Sequence, residues 1–211
     1  MPSSARLLLP LYLLACLLAL LGLAGLWYGL GKPVHLPDAA SPTHKLQCAS
    51  YTPFDKDQSP YDQPFRLRPA RMDADLALLA ERFQCIRTYS VTGLEAIPAL
   101  ARKHGLKVML GAWVNAHAAD TDKEIDLLIA TANANPDVVS AVIVGNETLL
   151  RKEVTGAQLA KLIARVKSQV KVPVTYADVW EFWLQHPQVA PAVDYLTIHL
   201  LPYWEDDPRG Q

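Results

Sequence analysis

The feature that most constrains this chain is a repeated alternation of short apolar segments with longer amphipathic ones. From Leu46 onward, apolar strands are expected at Leu46–Tyr51, Cys85–Tyr89, Lys107–Trp113, Val138–Val144, Val172–Tyr176 and Tyr195–Leu200. Helices are expected between them, near Asp73–Phe83, Gly93–His104, Asp122–Ala134 and Thr155–Val170, with a short one near Val179–Gln185. Segments such as Ala141–Val144 are continuously apolar, as strands are when helices cover both faces of a sheet. Strands joined by helical crossovers run parallel, so the class is α/β. Periodicity alone leaves open whether the sheet is a barrel or an open, doubly wound one. Several helix ends carry local signals. Thr121 with Glu124, and Thr155 with Gln158, have capping-box spacing. Gly105 follows Arg102-Lys103-His104, a cationic last turn closed by a residue suited to a left-handed cap.

Ahead of this region, Leu7 to Leu30 is apolar and without a charge. Such a helix is about 36 Å long, enough to cross a hydrocarbon core of about 30 Å. Trp27 and Tyr28 at its end suit a membrane interface. The run is longer than a typical signal-peptide core, and no clean Ala-x-Ala site follows it. Leu13-Leu14-Ala15-Cys16 has the form of a bacterial lipoprotein box, but the apolar run continues long past Cys16. An uncleaved anchor is therefore expected, with a cleaved signal and a lipoprotein as alternatives. Arg6 and the α-amine favour an inside N-terminus. This divides the chain into a flank (1–6), an anchor (7–30), a proline-containing linker (31–45) and a folded domain (46–211) outside the cytoplasmic membrane. The net charge of −1, from 20 basic and 21 acidic residues, offers no basic face for nucleic acid.

The strand ends carry the polar and aromatic residues: Tyr51, Tyr89, Trp113 with Asn115, Asn146-Glu147, Tyr176 with Asp178, and His199 followed by Pro202-Tyr203-Trp204. In β/α barrels the active site is built at these C-terminal ends. Aromatic rings around a carboxylate suit a sugar, whose ring faces stack while its hydroxyls hydrogen-bond. Glu147, directly after a buried strand, is well placed for acid/base work; a solvent-facing or helix-capping glutamate is the plainer alternative. There is no GxGxxG, GxxxxGK[ST], GxSxG or HExxH, and neither cofactor nor metal is implied.

The segment Val142-Ile-Val-Gly-Asn-Glu147 resembles the acid/base strand of glycoside hydrolase family 17, the β-1,3-glucanases and β-1,3-glucanosyltransferases. Cys85-Ile-Arg-Thr-Tyr-Ser90, Leu106-Lys-Val-Met-Leu-Gly111 and Ile198-His-Leu-Leu-Pro-Tyr203 are similar to its second, third and sixth strands. The first strand, Ala49-Ser-Tyr-Thr-Pro-Phe54, is closer to the family's bacterial branch. The resemblance implies a (β/α)8 TIM barrel acting on β-glucan, and together with the expected anchor this places the domain on the periplasmic side of a bacterial cytoplasmic membrane. It implies Glu147 as general acid/base, with Asn146 on a sugar hydroxyl. Tyr89 and Tyr203 would line the adjoining subsite, and His199, where other branches often place Asn, would hydrogen-bond there. Tyr51, Trp180 and Trp204 are weaker candidates for the cleft, with ordinary packing as the alternative.

The family is retaining, so a nucleophilic carboxylate belongs about 5–5.5 Å from the acid/base. Its usual Glu-x-Gly-Trp segment, on the seventh strand, does not occur here. Glu205 and Glu181 are the nearest substitutes, and both follow earlier strands. Residues 46–211 also fall short of the roughly 250 residues of an eight-unit barrel. About six of eight units are expected, as in a C-terminally truncated fragment. Two other classes stay open: a membrane-anchored carbohydrate-binding module without catalysis, and the front part of a glucan-synthesising protein. Cys48 and Cys85 occupy like positions on neighbouring strands. Buried free thiols are expected there, with a disulfide as the alternative.

Overall fold

The computed structural model describes residues 4–32, 45–54, 56, 58–59 and 67–201. The chain divides into two units, the first of which carries helix α1, Ser4–Leu30. Leu8–Leu30 of this helix is long and apolar enough to cross a membrane, a test that a signal sequence passes equally well. Its leucines are exposed all round the helix, so no polar face is set against an apolar one. At its end the Lys32 ammonium lies over the Tyr28 ring, 5.4 Å from the centroid.

The second unit is an alternating α/β domain. Strand β1 (Leu46–Ser50) precedes α2 (Pro69–Ala80), β2 (Phe83–Arg87), α3 (Ile97–Lys103) and β3 (Lys107–Ala112). Then follow α4 (Ala118–Ala134), β4 (Val139–Asn146), α5 (Gly156–Lys167), β5 (Val174–Val179), α6 (Trp180–Gln185) and β6 (Thr197–His199). The strands lie in the order β1-β2-β3-β4-β5-β6, every neighbouring pair parallel. A doubly wound sheet reverses its strand order at a switch point; this one never does. It is the curled wall of a TIM-type barrel, six strands wide. The core forms where helix stripes meet the sheet: Leu76 of α2, Ile97 of α3, Ile125 and Leu128 of α4, and Leu159 and Ile163 of α5 are all fully buried. Each such side chain contributes roughly 1.5–3 kcal/mol by leaving water.

Several ends differ from expectation. Helix α2 starts four residues early, because Pro69 occupies the first helical turn, where its missing N–H costs nothing. The Thr155–Gln158 capping box forms, Gln158 N donating to Thr155 Oγ1 while Thr155 N donates to Gln158 Oε1. The Thr121–Glu124 pair makes no such box. Helix α4 has begun by Ala118, Thr121 Oγ1 bonds the backbone of Asn115, and Glu124 turns inward. Gly105 adopts the expected left-handed cap at φ 71°.

The thiols also depart from expectation. Cys48 and Cys85 are direct register partners on β1 and β2, 4.4 Å apart at Cα, and are joined as a disulfide. Cys48 is exposed while Cys85 is buried, so the expected burial holds for one of the two and the expected free thiols for neither. Register decides this, and spacing along the sequence does not reveal register. Beyond 201, Tyr203, Trp204 and Glu205 lie outside the described residues.

Candidate active site

The site begins with an irregularity in β4. Ile143 pairs with Thr175, but Asn146 pairs with Ala177, so β4 gains one residue on β5 between these points. The extra residue is accommodated by Gly145 at φ 89°, where a Cβ would stand 2.6 Å from Thr148 Oγ1. Such a bulge re-aims the side chains beyond it. Glu147 then takes φ 51°, a left-handed conformation that a non-glycine residue adopts only when its surroundings enforce it. Two backbone bonds do so: Glu147 N donates to Ala177 O at 2.7 Å, and Arg151 N donates to Glu147 O at 2.9 Å.

Side chains from three strands meet there. Arg87, the last residue of β2, donates from Nη2 to Asn146 Oδ1 at 2.5 Å. Its Nη1 lies 3.4 Å from His199 Nε2, and His199 Nδ1 lies 2.7 Å from Glu147 Oε1. A guanidinium only donates, so Nε2 is the acceptor and Nδ1 carries the proton. His199 therefore donates to the Glu147 carboxylate. Burial lowers the affinity of Arg87 for its proton, while Tyr89 and Glu147 oppose that shift. The Arg87 guanidinium also lies over the Tyr89 ring, 4.6 Å from the centroid.

Beneath Glu147, Asp178 of β5 is fully buried. Burial raises its pKa and the nearby Glu147 adds to the rise; bonds from Tyr176, Val179 N and Leu150 N work the other way. Tyr176 Oη donates to Asp178 and accepts from Leu149 N at 2.9 Å. Asp178 thus braces the turn after Glu147 with both of its oxygens engaged.

Glu147, Asn146 and His199 are thus brought together, with Tyr89 beside them through Arg87. Tyr51 lines a cavity with Tyr89, but it is itself buried and its hydroxyl donates to Asp75 Oδ2 at 2.9 Å. Trp180 opens α6 and is 42% exposed. Tyr203 lies outside the described residues. Arg87 was visible only as the arginine two residues before Tyr89. Arg151 and Glu124 gave no functional signal; Glu124 was disguised by capping-box spacing.

A singly wound parallel sheet, with a braced carboxylate at the C-terminal end of its fourth strand, defines a barrel of the glycosidase kind. The chain belongs to the BtgE/BtgC glycoside hydrolase family, whose domain it matches over residues 48–210. It is 29% identical over 144 residues to a glucan 1,3-β-glucosidase of Arthroderma benhamiae, covering 64% of this chain and 46% of that protein. It is 31% identical over 146 residues to a glucan 1,3-β-glucosidase of Schizosaccharomyces pombe, covering 63% and 45%. The chain thus spans under half the length of these curated relatives. Among solved structures, it is similar to the glycoside hydrolase family 17 β-1,3-glucanosyltransferase of Rhizomucor miehei. There the TM-score is 0.64 at 25% identity, covering 76% of this chain and 59% of that one. An active-site mutant of that enzyme holds laminaritriose.

Proposed function

We propose that the protein carrying this chain is a retaining glycosidase or transglycosylase of β-1,3-glucan, with Glu147 as its general acid/base. One observation carries the reading. The Glu147 carboxylate stands at the C-terminal end of β4, on a backbone conformation maintained by Ala177 and Arg151, with the His199 imidazole donating to it. In this role Glu147 protonates the departing glycosidic oxygen and later takes a proton from the incoming water or sugar hydroxyl. Asn146, fixed by Arg87, presents its amide N–H to a sugar hydroxyl beside the scissile bond. Tyr89 lines the same region and His199 flanks it from the sixth strand; Tyr203 is assigned to that subsite on the family resemblance alone. Tyr51 contributes a wall to the cleft through its ring, its hydroxyl being committed to Asp75. The relatives' names support the substrate class. The nucleophilic carboxylate of the retaining pair would come from a later strand of the complete barrel.

The test is Glu147→Gln in the protein that carries this chain. Release of sugar from laminarin should fall by about a thousandfold or more, since general acid/base catalysis and charge stabilisation are lost together. The melting temperature should barely move. Full activity in this variant overturns the assignment.

We also propose that α1 anchors the domain to a bacterial cytoplasmic membrane, with the barrel facing the periplasm. The all-round apolar surface of Leu8–Leu30 and the basic Arg6 near the start of the helix support this. The protein should sediment with membranes and be released by detergent but not by alkaline carbonate. A mature N-terminus beyond Leu30 would show the helix to be a cleaved signal.

A further inference from the structure

Over the C-terminal ends of β1, β2 and β3 lies a cavity of about 760 Å³. Tyr51, Phe54, Tyr89 and Trp113 give its lining an aromatic surface, and Asn115, Lys123 and the carboxylates of Asp120 and Glu124 supply polar groups. This size is typical of small-molecule sites. Aromatic surface with a few amide and ammonium donors matches a pyranose ring, apolar on its faces and hydroxylated at its edge.

The cavity is built rather than incidental. The Glu124 carboxylate, 5% exposed, accepts from Ser90 Oγ and Val91 N, both at 2.7 Å, from Trp113 N at 3.3 Å and from the Thr92 hydroxyl. One buried anion thereby pins the loop after β2, which follows Tyr89, to the loop after β3, which carries Trp113.

Two arginines then link these walls to the site already described. Arg87 lies over Tyr89, and Arg151 lies over Trp113 with its guanidinium carbon 4.2 Å from the centroid. Both reach Asn146, Arg87 at its side-chain oxygen and Arg151 at its main-chain oxygen. Arg151 also donates to Val114 O at 3.2 Å, directly after Trp113. Its guanidinium therefore spans from the cavity wall to the peptide that leads into Glu147. A displacement of Trp113 would be felt one residue from the acid/base.

We propose that Arg151 is the positioning residue that couples the Trp113 wall of this cleft, on which glucan residues remote from the scissile bond rest, to the Glu147 segment. The proposal rests on Glu147 being the acid/base of a glucan-acting enzyme. Lysine is the informative substitution at 151, because it keeps the charge but loses the planar fork and the ring stacking.

The experiment measures kcat/KM on laminaritriose and laminarihexaose for Trp113→Phe, Trp113→Ala, Arg151→Lys and the Trp113→Ala/Arg151→Lys double variant. Trp113→Ala and Arg151→Lys should each lose about tenfold more on the hexasaccharide than on the trisaccharide, the scale of one lost aromatic contact. Trp113→Phe should recover most of that length preference. The double variant should lose little more than the worse single one, as coupled residues do. Equal losses on both substrates, or additive losses in the double variant, overturn the proposal. Should Trp113→Ala fail to fold, laminarihexaose binding by calorimetry decides, comparing Glu147→Gln alone with Glu147→Gln/Arg151→Lys. An unchanged Kd there also overturns it. Full activity of Glu147→Gln would sink the acid/base reading separately, leaving the chain-length comparison to report on the cavity alone.

Discussion

The two rims of the sheet are made from the same strands yet hold their charges in opposite ways. At the C-terminal rim Arg87, Asn146, Glu147 and His199 are drawn inward and linked by side-chain bonds, with Asp178 buried beside them and bonded to Tyr176, on a backbone that includes a bulge and a left-handed glutamate. At the N-terminal rim the charges face water. Arg102 grips Asp137 with two bonds, at 2.6 and 2.8 Å, and Lys167 meets Asp194 at 2.6 Å. Inward networks cost desolvation and strain and are kept where geometry must be held for chemistry; exposed pairs cost little and contribute little. The contrast matches the division of labour in β/α barrels, function at one end and stability at the other.

Two substitutions would sharpen or break that contrast. The larger effect belongs to Gly145→Ala. The new Cβ meets Thr148 Oγ1, and the left-handed backbone adds its own penalty. Together these should cost about 3 kcal/mol of stability. Because Asn146 and Glu147 ride on this turn, activity should fall with it. A denaturant melt showing less than about 1 kcal/mol of loss would mean that the bulge relaxes freely and that the rim is not strained.

The smaller effect belongs to Asp137→Asn at the opposite rim. Arg102 holds the Asp137 carboxyl at about 2, below its ordinary 3.8. A depressed folded-state pKa contributes stability that is complete above 3.8 and is lost as the pH falls through about 2. The variant should therefore melt slightly below the parent at pH 6, and the gap should close across that acid window. Activity on laminarin should be unchanged. A large loss of activity would show that the two rims are not independent.

Much of the fold was legible in local pattern. Continuous apolar strands such as Ala141–Val144, the Thr155–Gln158 box and the Gly105 cap each follow from short-range chemistry, and each stands in the structure. The resemblance carried by Val142–Glu147 likewise leads to the family. Glu124 marks where local pattern misled: the spacing of a capping box was present, but two loops supplied five bonding groups that a helix end would have left to water.

What the sequence by itself determined is the alternation of elements, the class of sheet and the residues standing at strand ends, because these depend on neighbours a few positions away. Only the tertiary structure decided the strand order, the Cys48–Cys85 register and the Arg87–His199–Glu147 chain, whose members lie 52 to 112 residues apart. Such pairings depend on how far the sheet curls and on a one-residue bulge at Gly145. No local preference encodes either, since both arise when helices from distant parts of the chain pack against a common sheet.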